Sequence, residues 1–119
     1  DVIIAGMGGE LIAQIIEGCT FVTPDTRFIL QPMTKAELLR RYLYEHGFAI
    51  DEEKGAYSAG KAYTVMLVRY TGEKTDISDE FAYFGKCTDA RYIRKVNGQL
   101  EKLGRSDPSL LKLIRKDTP

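Results

Sequence analysis

The sequence is short of cysteine and histidine, and it has no long apolar run and no net charge; each shortage removes a class of function. Only two of its 119 residues are cysteines, Cys19 and Cys87. They have neither metal-ligand spacing nor a partner motif, which argues against a zinc site or a disulfide framework. They read as two idle or buried thiols, and they suit a reducing compartment, so a cytoplasmic location is expected. His46 is the single histidine, and no Ser-His-Asp set, metal cluster or P-loop accompanies it. No residue is therefore assigned as catalytic, and no metal is expected. The apolar runs are too short to span a bilayer and nothing resembles a signal peptide, so no membrane partner is expected. No internal repeat or low-complexity stretch is present.

Basic and acidic residues balance at 17 each, but they are unevenly spread. Residues 1–85 carry 8 basic and 13 acidic side chains, whereas residues 86–119 carry 9 and 4. An acidic body with a basic tail suits contact with nucleic acid, though a solvated helical face has the same composition.

The N-terminal stretch holds the clearest pattern. An apolar run over residues 2–5 leads into Gly6-Met7-Gly8-Gly9, and an amphipathic pattern follows to residue 17. That is a strand, a glycine turn and a helix start, a common way for an α/β protein to present backbone N–H groups to a ligand. Leu11, Ile12, Ile15 and Ile16 form the expected inner face of the helix. The run starts without an initiator Met or a polar lead-in, and the expectation is the back part of a longer protein.

Further on, residues 27–31 read as a buried strand stopped by Pro32. Thr34 with Glu37 reads as a capping box opening a helix. In that helix Leu38, Leu39, Tyr42 and Leu43 are expected inward, and Arg40, Arg41 and Glu45 outward. His46-Gly47 closes it, with the imidazole at the helix C-terminus. Residues 48–54 and 62–70 read as strands of an antiparallel hairpin, joined by a glycine- and serine-bearing connection over 55–61. The run Asp51-Glu52-Glu53 reads as a solvated strand end rather than an acid/base pair. Residues 71–78 are loop-like. From Thr88, Ile93, Val96, Leu100 and Leu103 follow a heptad-like spacing, with Arg91, Arg94, Lys95 and Lys102 around them. Asp107-Pro108 is expected to start a last helix over Leu110, Leu111, Leu113 and Ile114.

The order is β-α-β-α-β-β-α-α. The fold class is α/β: a parallel βαβαβ grammar, closed by an antiparallel hairpin at the sheet edge. Methyltransferase-type Rossmann-like sheets end with one reversed strand, whereas dehydrogenase-type domains continue βα. The dinucleotide fingerprint fails twice, at Leu11 and at the Gln31-Pro32 strand end, where an acidic residue would stand. Gly6, Met7, Gly8 and Gly9 would then lie beside Gln31 and Pro32 in the crevice at the strands' carboxyl ends. The glycines would let backbone pass close to a flat ligand, and the Gln31 amide, both donor and acceptor, suits a base edge.

Several of these segments resemble one family. They are Ile3-Ile-Ala-Gly-Met-Gly-Gly-Glu-Leu-Ile12, Arg27-Phe-Ile-Leu-Gln-Pro-Met33, Glu37-Leu-Leu-Arg-Arg-Tyr-Leu43, His46-Gly-Phe48 and Gly60-Lys-Ala-Tyr-Thr-Val-Met-Leu-Val68. In this order they resemble the bacterial tRNA adenine-22 N1-methyltransferases. The resemblance implies the C-terminal half of a class I, Rossmann-like domain over residues 1–80 and a basic, coiled-coil-like helical tail over 86–119. It implies S-adenosylmethionine as methyl donor and N1 of a tRNA adenine as acceptor. The acceptor base would lie at Gly6–Gly9 and Gln31-Pro32, and Arg91, Arg94, Lys95 and Lys102 would be candidate RNA contacts. The family's donor-binding loop lies before the glycine block and is not in this sequence, so this chain alone is expected to be inactive. Two other readings stay open: an inactive RNA-binding or assembly module of the same fold, and a nucleotide-dependent oxidoreductase fragment. The catalytic base, the tRNA and the oligomeric state, a homodimer included, are left undetermined.

Overall fold

Alternation and helical periodicity divide the described residues into four strands and four α-helices. The computed structural model describes residues 1–116. The elements are β1 (Val2–Met7), α1 (Gly9–Glu17), β2 (Arg27–Pro32), α2 (Ala36–Glu45), β3 (Phe48–Ser58), β4 (Lys61–Tyr70), α3 (Asp79–Phe84) and α4 (Ala90–Leu103), followed by a 3-10 helix over Pro108–Leu113. The sheet order is β1-β2-β4-β3. β1 and β2 run parallel, and β4 is antiparallel to both of its neighbours.

The hairpin lies at the sheet edge, as expected, with its return strand on the inner side. β4 inserts between β2 and β3, leaving β3 outermost. Composition accounts for this. In β4, Ala62, Tyr63, Thr64, Met66 and Val68 are all buried, so it needs a neighbour on each side. β3, with charges at Asp51, Glu52 and Lys54, tolerates an edge. β3 also runs four residues beyond its expected end: Gly55 to Ser58 pair with Thr64 to Lys61. Ala59 and Gly60 alone make the turn, with φ of 51° and 77°, as a two-residue type I′ loop requires.

One irregularity in β3 has large effects. Ile50 pairs with Val68 and Glu53 with Met66, while Asp51 is skipped in the ladder. Val68 and Met66 share a face of β4, so the bulge brings Glu53 onto the same face as Ile50. Glu52 is left exposed and Glu53 becomes buried. Of the predicted solvated acidic run, Glu53 is therefore an interior residue.

Two apolar clusters complete the packing. In the first, Ile12, Ala13 and Ile16 of α1 and Leu39 and Leu43 of α2 cover Ile4, Phe28, Leu30, Ile50, Met66 and Val68. The α1 stripe is rotated from its expected position: Leu11 and Ile15 lie on the exposed side, as does Leu38 of α2. In the second, Ile93, Val96 and Leu100 of α4 pack with Ala62, Phe84, Cys87 and Tyr92. Three positions of the heptad-like seam thus close onto the chain's own sheet and α3, and Leu103 is exposed. Helix α3 lies in a stretch where no element was expected; Ser78 caps it by accepting the Phe81 N–H at 3.1 Å. The last segment is a 3-10 helix rather than an α-helix, capped by Asp107.

Arg40, expected outside, is fully buried between the two clusters. All five of its N–H groups are used. Nε and Nη2 donate to Glu53 at 3.2 and 2.8 Å. Nη1 donates to the carbonyls of Ala82 and Tyr83 at 2.7 and 2.9 Å, and Nη2 also donates to the Tyr92 hydroxyl at 2.9 Å. Glu53 further accepts from the Thr64 hydroxyl and the Lys86 N–H. Burial disfavours the guanidinium charge, but Tyr92 and Glu53 outweigh that effect and hold its pKa above the ordinary value. Arg40→Ala would strand the Glu53 carboxylate in the interior and should cost about 3–5 kcal/mol. Urea denaturation will show it as a lower midpoint. The double change Arg40→Met with Glu53→Leu should recover much of the loss, because no buried charge is then left alone.

Candidate nucleic-acid interface

The carboxyl ends of β1 and β2 meet as the sequence suggests: Ala5 is in register with Gln31, and Met7 with Pro32. Two backbone hydrogen bonds continue the join past the strands. The Met33 N–H donates to the Met7 carbonyl at 2.8 Å, and the Gly9 N–H to the Thr34 carbonyl at 2.7 Å. A Cβ on Gly9 would sit 2.2 Å from the Lys35 carbonyl oxygen, and one on Gly8 would sit 2.8 Å from Thr34 Oγ1. Gly8 and Gly9 therefore serve the close approach of α1 to residues 34–35. The first N–H of α1 is spent on that contact and is not offered as an anion cradle. Gly6 differs: its φ is +78° and a Cβ there would meet open space.

The same contact changes the start of α2. Thr34 does not cap it; Lys35, at a left-handed φ of 54°, occupies the N-cap without a side-chain hydrogen bond. The Thr34 carbonyl is held by Gly9, and the Lys35 ammonium pairs with Glu10 of α1. Capping by side chain is thus replaced by a clasp between α1 and the β2–α2 connection.

Beyond Met33 and Thr34 opens a cleft of about 680 Å³. Its other walls are the β3–β4 turn and the first turns of α4. Lys61, Arg91, Arg94 and Lys95 line it with Tyr57 and Gln99, and no carboxylate is among the lining residues. Asp89 starts this wall by accepting the Tyr92 N–H at 3.0 Å as the α4 cap. Arg91 lies over the Tyr57 ring at 4.2 Å. Lys95 donates to the Ala62 carbonyl at 2.7 Å and lies 5.3 Å from the centre of the Tyr63 ring. Partial burial, and then the nearby Lys61, push the Lys95 pKa down. A small cavity lined by Pro32, Met33 and Lys95 adjoins the cleft, bridging it to the strand ends.

The structure thus joins the Gly6–Gly9 turn to Gln31 and Pro32, and Arg91, Arg94 and Lys95 line a cleft that shares Met33 and Thr34 with that join. Lys102, in the last turn of α4, lies outside the cleft. Sequence reasoning missed Tyr57 and Lys61, having placed them in an irregular connection. The Ala59-Gly60 pair between two strand-like runs is the signal that would have shown a tight hairpin. His46 does cap its helix: Nδ1 is 2.8 Å from the Tyr42 carbonyl and the ring stacks on Tyr42 at 4.1 Å. Among the described residues no group of three or more His, Cys, Asp or Glu side chains could hold a metal. Both cysteines are free, and burial raises the Cys87 thiol pKa. No helix among the described residues is long and apolar enough to cross a membrane.

Comparison with known proteins gives one consistent family. The profile of the family described as tRNA (adenine(22)-N(1))-methyltransferase matches residues 1–112. The tRNA (adenine(22)-N(1))-methyltransferase of Bacillus subtilis (strain 168) is 42% identical, with 82% of this chain and 45% of that protein covered. A candidate tRNA (m1A22) methyltransferase of Streptococcus pneumoniae superposes with a TM-score of 0.75 at 30% identity, over 94% of this chain and 57% of that one. Its complex with S-adenosyl-L-methionine gives 0.74 at 31%, over 94% and 56%. The chain spans about half the length of these relatives. Its four-stranded sheet corresponds to part of a Rossmann-like sheet and includes a reversed strand.

The clasp can be tested by adding single methyl groups. Gly9→Ala drives a Cβ into backbone and should cost about 2–3 kcal/mol by overpacking. Gly6→Ala meets no atom but must hold a left-handed φ, at about 1 kcal/mol. Equilibrium denaturation of the two variants should rank them in that order.

Proposed function

Because the chain belongs to the tRNA (adenine(22)-N(1))-methyltransferase family, we propose that it forms the acceptor side of an enzyme that methylates N1 of an adenine in tRNA with S-adenosylmethionine. The observation that carries this reading is the adjacency of two features: a glycine turn beside Gln31-Pro32, and a cleft whose ionisable walls are cationic except for Tyr57. The first suits a flat base, and the second suits the phosphates that flank it.

By the family resemblance, the main donor-binding loop precedes the glycine block. Glu10 is the carboxylate nearest the glycine turn in sequence, and it is tied to Lys35. The role of this chain therefore lies with the acceptor. N1 is on the Watson–Crick edge of adenine, so the base must be unpaired before it can react. Its N1 lone pair is the nucleophile and carries no proton at neutral pH, so holding the ring in line supplies much of the rate. In this reading the open face at Gly6 admits the ring plane, and the half-buried Gln31 amide bonds its edge. Pro32, buried under the small cavity, keeps that wall dry. Lys61, Arg91, Arg94 and Lys95 hold the backbone on either side. Lys102 adds charge further along α4. The free thiols agree with a reducing, cytoplasmic setting.

A protein carrying this chain together with the donor-binding segment should transfer label from radioactive S-adenosylmethionine to unmodified tRNA. Nuclease digestion should place the methyl group on adenine N1. Gln31→Ala should lower kcat/KM about tenfold, the value of one hydrogen bond to substrate. A protein that binds neither donor nor tRNA would refute the proposal.

A further inference from the structure

The glycine turn and the cleft's cations leave Tyr57, near the tip of the β3–β4 hairpin, without a role. We propose that Tyr57, with Arg91 stacked on it, is a platform for an unpaired nucleobase next to the target base in the RNA strand. The inference rests on the reading of this chain as an RNA-acting domain, and it extends that reading to a second nucleotide.

Four observations support it. First, Tyr57 is half exposed, at 51%, although it is fixed in a strand by its pairing with Ala62. Its exposed area is open to a stacking partner. Second, the Arg91 guanidinium sits 4.2 Å from the Tyr57 ring centre. An arginine on an aromatic ring extends the stacking surface, since bases stack on guanidinium planes as well as on rings. Third, Lys61, Arg94 and Lys95 surround this pair in the same cleft, where they can meet phosphates on both sides of a stacked base. Fourth, Met33 and Thr34 close the cleft on the side of the glycine turn, so the platform and the acceptor wall share one connection.

The hairpin is built to hold the platform still. Its turn has only two residues, and the Lys95 ammonium ties α4 to the carbonyl of Ala62, the ladder partner of Tyr57. Gly55 brings α4 close: a Cβ there would fall 2.2 Å from Asp89 Cβ. The platform favours single strands because duplex RNA hides its base faces within the stack.

The test uses fluorescence anisotropy of the purified protein with fluorescein-labelled oligouridine, with a blunt RNA duplex as comparison, over a range of salt. Tyr57→Ala should weaken oligouridine binding about tenfold, while Tyr57→Phe stays near wild type. The salt slope should be unchanged in Tyr57→Ala, since no charge is lost, and should fall by about 0.7 in Lys61→Ala and in Arg94→Ala. Thermal melting confirms that the variants stay folded. The proposal is overturned if Tyr57→Ala binds oligouridine as the wild type does, or if the duplex binds as tightly as the single strand. The two readings fail separately. Loss of methyl transfer with a persisting Tyr57 effect removes the enzyme and keeps the platform. Methylation with no Tyr57 effect removes the platform alone.

Discussion

The buried pair of Arg40 and Glu53 is the constraint on which the rest of this structure depends. It links α2, β3, β4, α3 and α4 through hydrogen bonds to Ala82, Tyr83, Tyr92, Thr64 and Lys86. Two separate apolar clusters meet across it. Apolar contact alone is tolerant of sliding and rotation, whereas a five-donor fork is satisfied in one arrangement. A buried ion pair often adds little net stability over apolar residues of the same volume. Its effect here is geometric: it sets where α4 stands against the sheet. Even the backbone conforms to it, because any side chain at Gly85 would collide with Glu53 and Arg40.

The position of α4 in turn makes the cleft. One wall is the basic face of that helix and the other is the β3–β4 turn. If α4 leaned elsewhere, Arg91 would leave Tyr57 and Lys95 would lose the Ala62 carbonyl. Gathering four cations in one place is unfavourable by itself, and the lowered Lys95 pKa reflects both its burial and its neighbour Lys61. The sheet and the ion pair hold these charges together with no carboxylate among the residues that line the cleft, which is the condition for binding a polyanion.

The glycine turn follows a different logic. Its Gly8 and Gly9 lack side chains so that α1 can press against residues 34–35, and the Gly9 N–H closes that contact. The turn here works as a joint between two βα units, and its exposed part is limited to Gly6 and its neighbours. Gly8 and Gly9 thus meet a packing need, and the proposed acceptor approach is left to Gly6.

Local sequence determined the elements that depend on local physics. Alternation and apolar runs placed β1, β2 and β4, the helical periods placed α1, α2 and α4, and the adjacency of Gln31-Pro32 to the glycine turn followed from the parallel grammar. The resemblance carried by the glycine and Leu30-Gln31-Pro32 blocks led to the family that the comparisons show. Only tertiary structure decided the inside and outside of polar residues. Arg40 is expected outside because of its charge, although it flanks the Leu39 and Leu43 stripe of α2, and Glu53 lies in an acidic run. Each is buried because a one-residue bulge at Asp51 changes the facing of β3 and because α3 and α4 return to cover them. The cleft was illegible for the same reason: Tyr57 and Arg91 are 34 positions apart in sequence, and their contact exists only once the buried pair has set the helix against the hairpin.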